Sequence, residues 1–118
     1  MKFYSQKSYT DKLGTCTQTI KSAGCLITSC CNLFPRLIDF KMTPLELNKY
    51  CIKKGLYVNG CMLDLAKLSA KLGLNYVKQT KNPKTTCIAE TNYYRGKGVP
   101  QHFYMLKKDG TIIDPLDK

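Results

Sequence analysis

An α+β fold, helices in the first half and an antiparallel sheet in the second, is predicted by a change of hydrophobic period along the chain. Up to Gly73 the apolar residues recur at three- and four-residue spacing, the mark of helices with one inward face. Beyond it the apolar runs are short, rich in β-branched and aromatic residues, and bounded by Asn, Pro and Gly. The Asp109-Gly110 pair between two such runs is a hairpin signal. Helices followed by paired strands is the α+β order. The 118 residues fit one domain, 1–118.

The first two dozen residues are polar and irregular, with Tyr4 and the Gly14 turn as their main features. A buried helix is expected to begin around Cys25 and to stop at Pro35, with Leu26, Cys30, Leu33 and Phe34 on one stripe. The next helix carries its own punctuation. Thr43 and Glu46 form a capping box, Pro44 suits the first helical position, and Gly55 lies just past the end. Leu47, Tyr50 and Cys51 form its inner face. A link with a turn at Asn59-Gly60 leads to a third helix, with Cys61, Leu65, Leu68 and Leu72 on one side and Gly73 as its stop. Strands are expected at residues 74–77 and 86–89, the second after an Asn82-Pro83 loop. The last hairpin pairs residues 102–106 with 111–113.

With 43% apolar residues and 23% charged, the composition is that of a chain that folds around a core. Nineteen Lys+Arg against eight Asp+Glu give a net charge of +11, which favours anionic surroundings such as cell-wall polymer, acidic peptide or nucleic acid. The lysines are scattered, as on an ordinary solvated surface, and no nucleic-acid-reading motif accompanies them. The seven cysteines are odd in number, and Cys30 and Cys31 are adjacent, so free thiols in a reducing compartment are expected rather than a disulfide framework. No apolar run resembles a signal-peptide core or a membrane span. Synthesis in the cytoplasm, followed by association with a virion or delivery to a cell wall, is the expectation.

Chemistry concentrates on few residues. His102 is the only histidine and stands at the mouth of an apolar strand. A hairpin closed at Asp109-Gly110 returns Asp114 to the side where the His102 strand starts, so a carboxylate can orient the imidazole. A turn residue before proline is the plainer account of Asp114. Cys25 follows Gly24 at a helix start, where unpaired N–H groups and the dipole favour a thiolate. Cys30, Cys31, Cys51 and Cys61 read as packing, Cys87 lies in a strand, and Cys16 lies in a loop without a helix start. The Cys25 N–H supplies one oxyanion donor, and Gln6 or Gln18 is the candidate for the second. No paired C-x-x-C spacing supports a zinc site, and Gly96-Lys97-Gly98 is too short for a phosphate loop, so neither metal nor cofactor is expected.

The segments FYSQ, SAGCLITS, MTPLELNKY, YVNGCML, QHFYMLKKDG and IIDPL, in that order from Phe3 to Leu116, resemble papain-like cysteine peptidases of the bacteriocin-processing type. They are most similar to relatives in phage tail and cell-wall-lysis proteins. The resemblance implies the papain-like fold, N-terminal helices packed on a C-terminal antiparallel sheet, and a Cys25–His102–Asp114 triad. It also implies an oxyanion role for Gln6 and substrate contacts at Gly24 and Gln101. The implied activity is peptide hydrolysis, with a phage or bacterial peptidoglycan endopeptidase as the preferred reading and phage tail or virion proteins as partners. A protease that processes phage proteins, and a non-catalytic basic binding or inhibitor module on the same scaffold, are the alternatives.

Overall fold

The computed structural model describes residues 3–77, 85–91 and 102–116. Four helices, α1 (Ile20–Ala23), α2 (Cys25–Leu33), α3 (Pro44–Lys53) and α4 (Leu65–Lys71), accompany five strands. The strands are β1 (Tyr57–Val58), β2 (Met62–Leu63), β3 (Cys87–Thr91), β4 (His102–Leu106) and β5 (Ile112–Ile113). β1 and β2 form a small hairpin, and β3-β4-β5 form an antiparallel sheet in that spatial order. The α+β order therefore holds, with α2 packed on β4 and β3 and α3 packed on α2.

The punctuation of α3 is realised in full. Thr43 Oγ1 accepts the Glu46 N–H at 3.2 Å, Glu46 Oε1 accepts the Thr43 N–H at 2.9 Å, and Gly55 sits at φ +68° beyond the last turn. Leu47 and Cys51 are fully buried on its inner face. α1, unforeseen in the polar leader, rests on a second capping box between Thr19 and Ser22. α2 is enclosed on every side: Ile27 through Leu33 are all buried, including Thr28, Ser29 and Asn32. Asn32 holds the leader to this helix, accepting from Tyr4 N–H at 2.7 Å and donating to Tyr4 O at 3.2 Å.

Two expectations fail. The third helix does not begin at Cys61. Residues 59–61 are the turn of the β1–β2 hairpin, and the helix starts at Leu65 behind Asp64, whose Oδ1 accepts the Lys67 N–H at 3.1 Å. The four-residue step from Cys61 to Leu65 imitates a helical face, but a carboxylate at the N-cap and the Asp64 N–H bonded to Leu56 O at 2.8 Å put the boundary later. Residues 74–77 form no strand. The Leu74 N–H closes the end of α4 on Ser69 O, and Tyr76 and Val77 stay exposed with no sheet pairing. The Asn82-Pro83 loop, the Gly96-to-Pro100 loop and Gln101 lie outside the described residues.

The core joins Leu13, Ile20, Ile27, Leu33, Phe34, Phe40, Leu47, Leu56, Leu68 and Met105 with three buried thiols, Cys30, Cys31 and Cys51. Burial pushes all three thiols up, Cys51 to about 12. Held neutral, they pack as small hydrophobes. Their stabilising effect is complete below the ordinary thiol value of 9.0 and is lost as pH rises toward the folded-state value. Under reducing conditions the urea midpoint is expected to fall between pH 9.0 and about 12. The slope is about 1.4 kcal/mol per pH unit for each such thiol. A midpoint as high at strongly alkaline pH as at neutrality would contradict this burial.

Candidate active site

The site forms where β5 stops short. The Lys107 N–H donates to Thr111 O at 2.9 Å, and Met105 pairs with Ile113, so alternate residues of β4 turn their peptide groups toward β5. Phe103 is next in that series, and its partner would be residue 115. Pro115 has no N–H to offer, and its carbonyl is held instead by the Gln6 N–H at 2.8 Å and Ser5 Oγ at 3.3 Å. The strands part there, and the first turn of α2 takes up the peptide groups of Phe103. Ser29 Oγ donates to Phe103 O at 3.3 Å, and Cys25, one helical turn before Ser29, has the Phe103 N–H among the groups that draw its thiol down.

Cys25 is thereby set against the residue that follows His102. Continuing the β4–β5 register by one pair places Asp114 opposite Tyr104, on the strand face that also carries His102. The carboxylate closes that diagonal: Asp114 Oδ1 accepts from His102 Nε2 at 3.0 Å and from the Leu116 N–H at 2.9 Å. Both residues are buried, His102 to 2% and Asp114 to 6% exposure. An ionised carboxylate can only accept, so with Asp114 ionised the proton sits on Nε2, and Nδ1 is the ring nitrogen turned away from the carboxylate.

The thiol of Cys25 is half-buried. Burial pushes it up, and the charge of Asp114 adds to this, while the N–H groups of Phe103, Leu26 and Cys25 itself draw it back down without cancelling the burial. The expectation of a thiolate favoured by the helix start is thus corrected. The helix-start N–H groups act in the predicted direction, but desolvation outweighs them, and the resting group is a thiol that needs a base to take its proton.

Gln6 and Gly24 both lie at the α1–α2 junction. Gln6 is buried at 2% exposure, and its Nε2 donates to Ile20 O at 3.3 Å and Lys21 O at 3.0 Å. The amide nitrogen is thus engaged by the carbonyls of the first two residues of α1, and its Oε1 has no hydrogen-bond partner. α1 closes at Gly24, whose N–H donates to Ile20 O, and α2 begins at Cys25 with the unpaired donors of a first turn. Gly24 lies at φ −89°, so its glycine is not demanded by backbone conformation. A Cβ there would come within 2.6 Å of both Ile20 Cγ2 and Ile20 O, so the missing side chain allows the tight α1–α2 junction. Gln18, the rival donor, is exposed, and its carbonyl accepts the Leu13 N–H at 2.8 Å.

Ser29, which couples the helix to the strand through the Phe103 carbonyl, was not singled out from sequence, and Phe103 only as the aromatic that follows His102. Their contribution at the junction is a backbone amide and a short hydroxyl, which leave no pattern in a sequence. A shallow depression of about 480 Å³ lined by Lys54, Gly55, Leu56, Lys67, Ala70 and Lys71 includes none of the triad residues. Among the described residues no group of His, Cys, Asp or Glu is arranged to hold a metal ion, and no helix is long and apolar enough to cross a membrane. Comparison with family models, curated proteins and solved structures finds no match.

Proposed function

We propose that the protein is a cysteine peptidase of the papain-like kind, acting through Cys25, His102 and Asp114. One observation carries this reading: the imidazole of His102 is held by the Asp114 carboxylate at 3.0 Å, on the strand against which α2, the helix that begins with Cys25, is packed. His102 Nδ1 takes the thiol proton as the sulfur attacks a peptide carbonyl, and Asp114 steadies the imidazolium that results. The oxyanion forms at the Cys25 N–H, at the start of α2. His102 returns the proton to the leaving amine, and water then hydrolyses the thioester with His102 as base. Gln6 contributes by positioning α1, with its amide donors on carbonyls.

The preferred substrate class is the peptide of a bacterial cell wall, because a net charge of +11 suits a wall rich in anionic polymer. Phage tail or virion proteins are the corresponding partners. Incubation with purified peptidoglycan, followed by mass spectrometry of the soluble fragments, is expected to reveal new amine termini. Their absence, with a general peptide library still cleaved, would shift the assignment to a protein-processing protease.

The enclosure of His102 favours a second reading, a non-catalytic basic module on the same scaffold. That reading requires DNA or RNA binding that weakens steeply as salt is raised, through counterion release. Peptide cleavage together with binding that is absent or flat in salt removes it.

A further inference from the structure

Two of the remaining cysteines, Cys16 and Cys61, are distant in sequence and adjacent in space. The loop that carries Cys16 is pinned to the hairpin turn that carries Cys61. The Thr15 N–H donates to Gly60 O at 2.7 Å, and Thr15 Oγ1 reaches the same carbonyl at 3.3 Å. Gly14 permits this approach, and Gly60 supplies the left-handed turn at φ +91°. A Cβ on Gly14 would overlap the Gly60 carbonyl, and one on Gly60 would stand 3.5 Å from Cys16 Cβ. Asn48 braces the loop from beneath, accepting from the Gly14 N–H at 2.9 Å and donating to Lys12 O at 2.9 Å. Cys16 Sγ donates to Leu13 O at 3.1 Å, and the backbones of the two loops come close on both sides of the pair: a Cβ on Gly14 would lie 3.2 Å from Cys61 Cα. The nearby Cys16 thiol also pushes the Cys61 thiol up. Both are partly exposed, unlike Cys30, Cys31 and Cys51.

We propose that Cys16 and Cys61 form a thiol–disulfide site, closing to a disulfide when the protein meets a low-molecular-weight disulfide oxidant and staples its N-terminal loop to the β1–β2 turn. In the first step one thiolate of the pair attacks a sulfur of glutathione disulfide, forming a mixed disulfide and releasing one glutathione thiol. The second thiolate then displaces the other glutathione. The two cysteines give up two protons and two electrons, and one glutathione disulfide becomes two thiols. The backbone bonds between the two loops hold the sulfurs near each other beforehand. The bond closes a loop of 45 residues (61 − 16) and so constrains the unfolded chain. The site is independent of the peptidase reading, because neither residue belongs to the triad.

The test treats the folded protein with glutathione disulfide, blocks remaining thiols with N-ethylmaleimide, and maps tryptic peptides without reduction. Residues 13–21 contain Cys16 as their sole cysteine, and residues 55–67 contain Cys61 alone. A linked peptide of these two is expected as the main crosslink, absent in Cys61→Ser, with Cys30, Cys31 and Cys51 still reduced. The oxidised form is expected to melt roughly 10 °C higher than the reduced one, reversibly on adding dithiothreitol. Stable glutathione adducts without a crosslink, a dominant crosslink between other cysteines, or a crosslink that lowers Tm would each overturn the proposal.

Discussion

Replacing Cys25 by alanine is expected to reduce peptide hydrolysis by on the order of 10^4-fold or more while leaving the fold in place. The two halves of that expectation rest on different features. The activity loss follows from removing the sulfur proposed to attack the substrate, at the start of the helix packed on the His102 strand. Survival of the fold follows because the side chain is half-buried and small, and α2 stays packed on β4 with Ser29 Oγ bonded to Phe103 O. A stability change of about 1 kcal/mol is expected, as for an ordinary point substitution. Hydrolysis should be measured beside a urea titration of the same preparation. Undiminished hydrolysis by a folded Cys25→Ala protein would end the peptidase assignment.

Asp114→Ala is expected to have the larger effect on stability, a loss of about 3 kcal/mol or more. Asp114 Oδ1 satisfies both His102 Nε2 and the Leu116 N–H in a place that water hardly reaches. Removing it leaves a buried imidazole N–H and a backbone N–H without their acceptor, and each unsatisfied group carries its own desolvation cost. Asp114→Asn retains an oxygen in the same position and should keep most of the stability. It should lose activity all the same, because a neutral amide does not stabilise the imidazolium as a carboxylate does. The pair of variants separates a structural from a catalytic role for the carboxylate. If Asp114→Ala unfolds at the same urea concentration as the parent, the buried His102–Asp114 bond is not a feature of the folded protein.

The regular elements with local punctuation were legible without coordinates. Thr43, Pro44, Glu46 and Gly55 bound α3 wherever that segment sits, because capping and φ preferences act over a few residues. Asp109-Gly110 set the β4–β5 hairpin for the same reason: Asp109 Oδ1 accepts the Thr111 N–H at 2.9 Å, and Gly110 lies at φ +93°. That hairpin alone was enough to bring Asp114 back toward His102, so the imidazole–carboxylate pair was readable as well. Where a signal was only periodic, as from Cys61 to Leu72, it ran past its boundary, since spacing has no end marker of its own.

Tertiary structure decided the rest. That α2 should pack on β4 depends on β5 ending at Ile113, two residues before Pro115, which leaves the carbonyl of Phe103 to be satisfied by Ser29, 74 residues away in sequence. Whether the thiol rests protonated depends on desolvation, a property of the packed surroundings that no local pattern encodes. Gln6 was recognisable as a polar residue near the beginning of the chain, but only packing against α1 determined where its amide points. The adjacency of Cys16 and Cys61 likewise arises from two loops meeting across a pair of glycines. Short-range stereochemistry is written in neighbouring residues. Long-range hydrogen bonding and burial come into being only when the chain closes on itself.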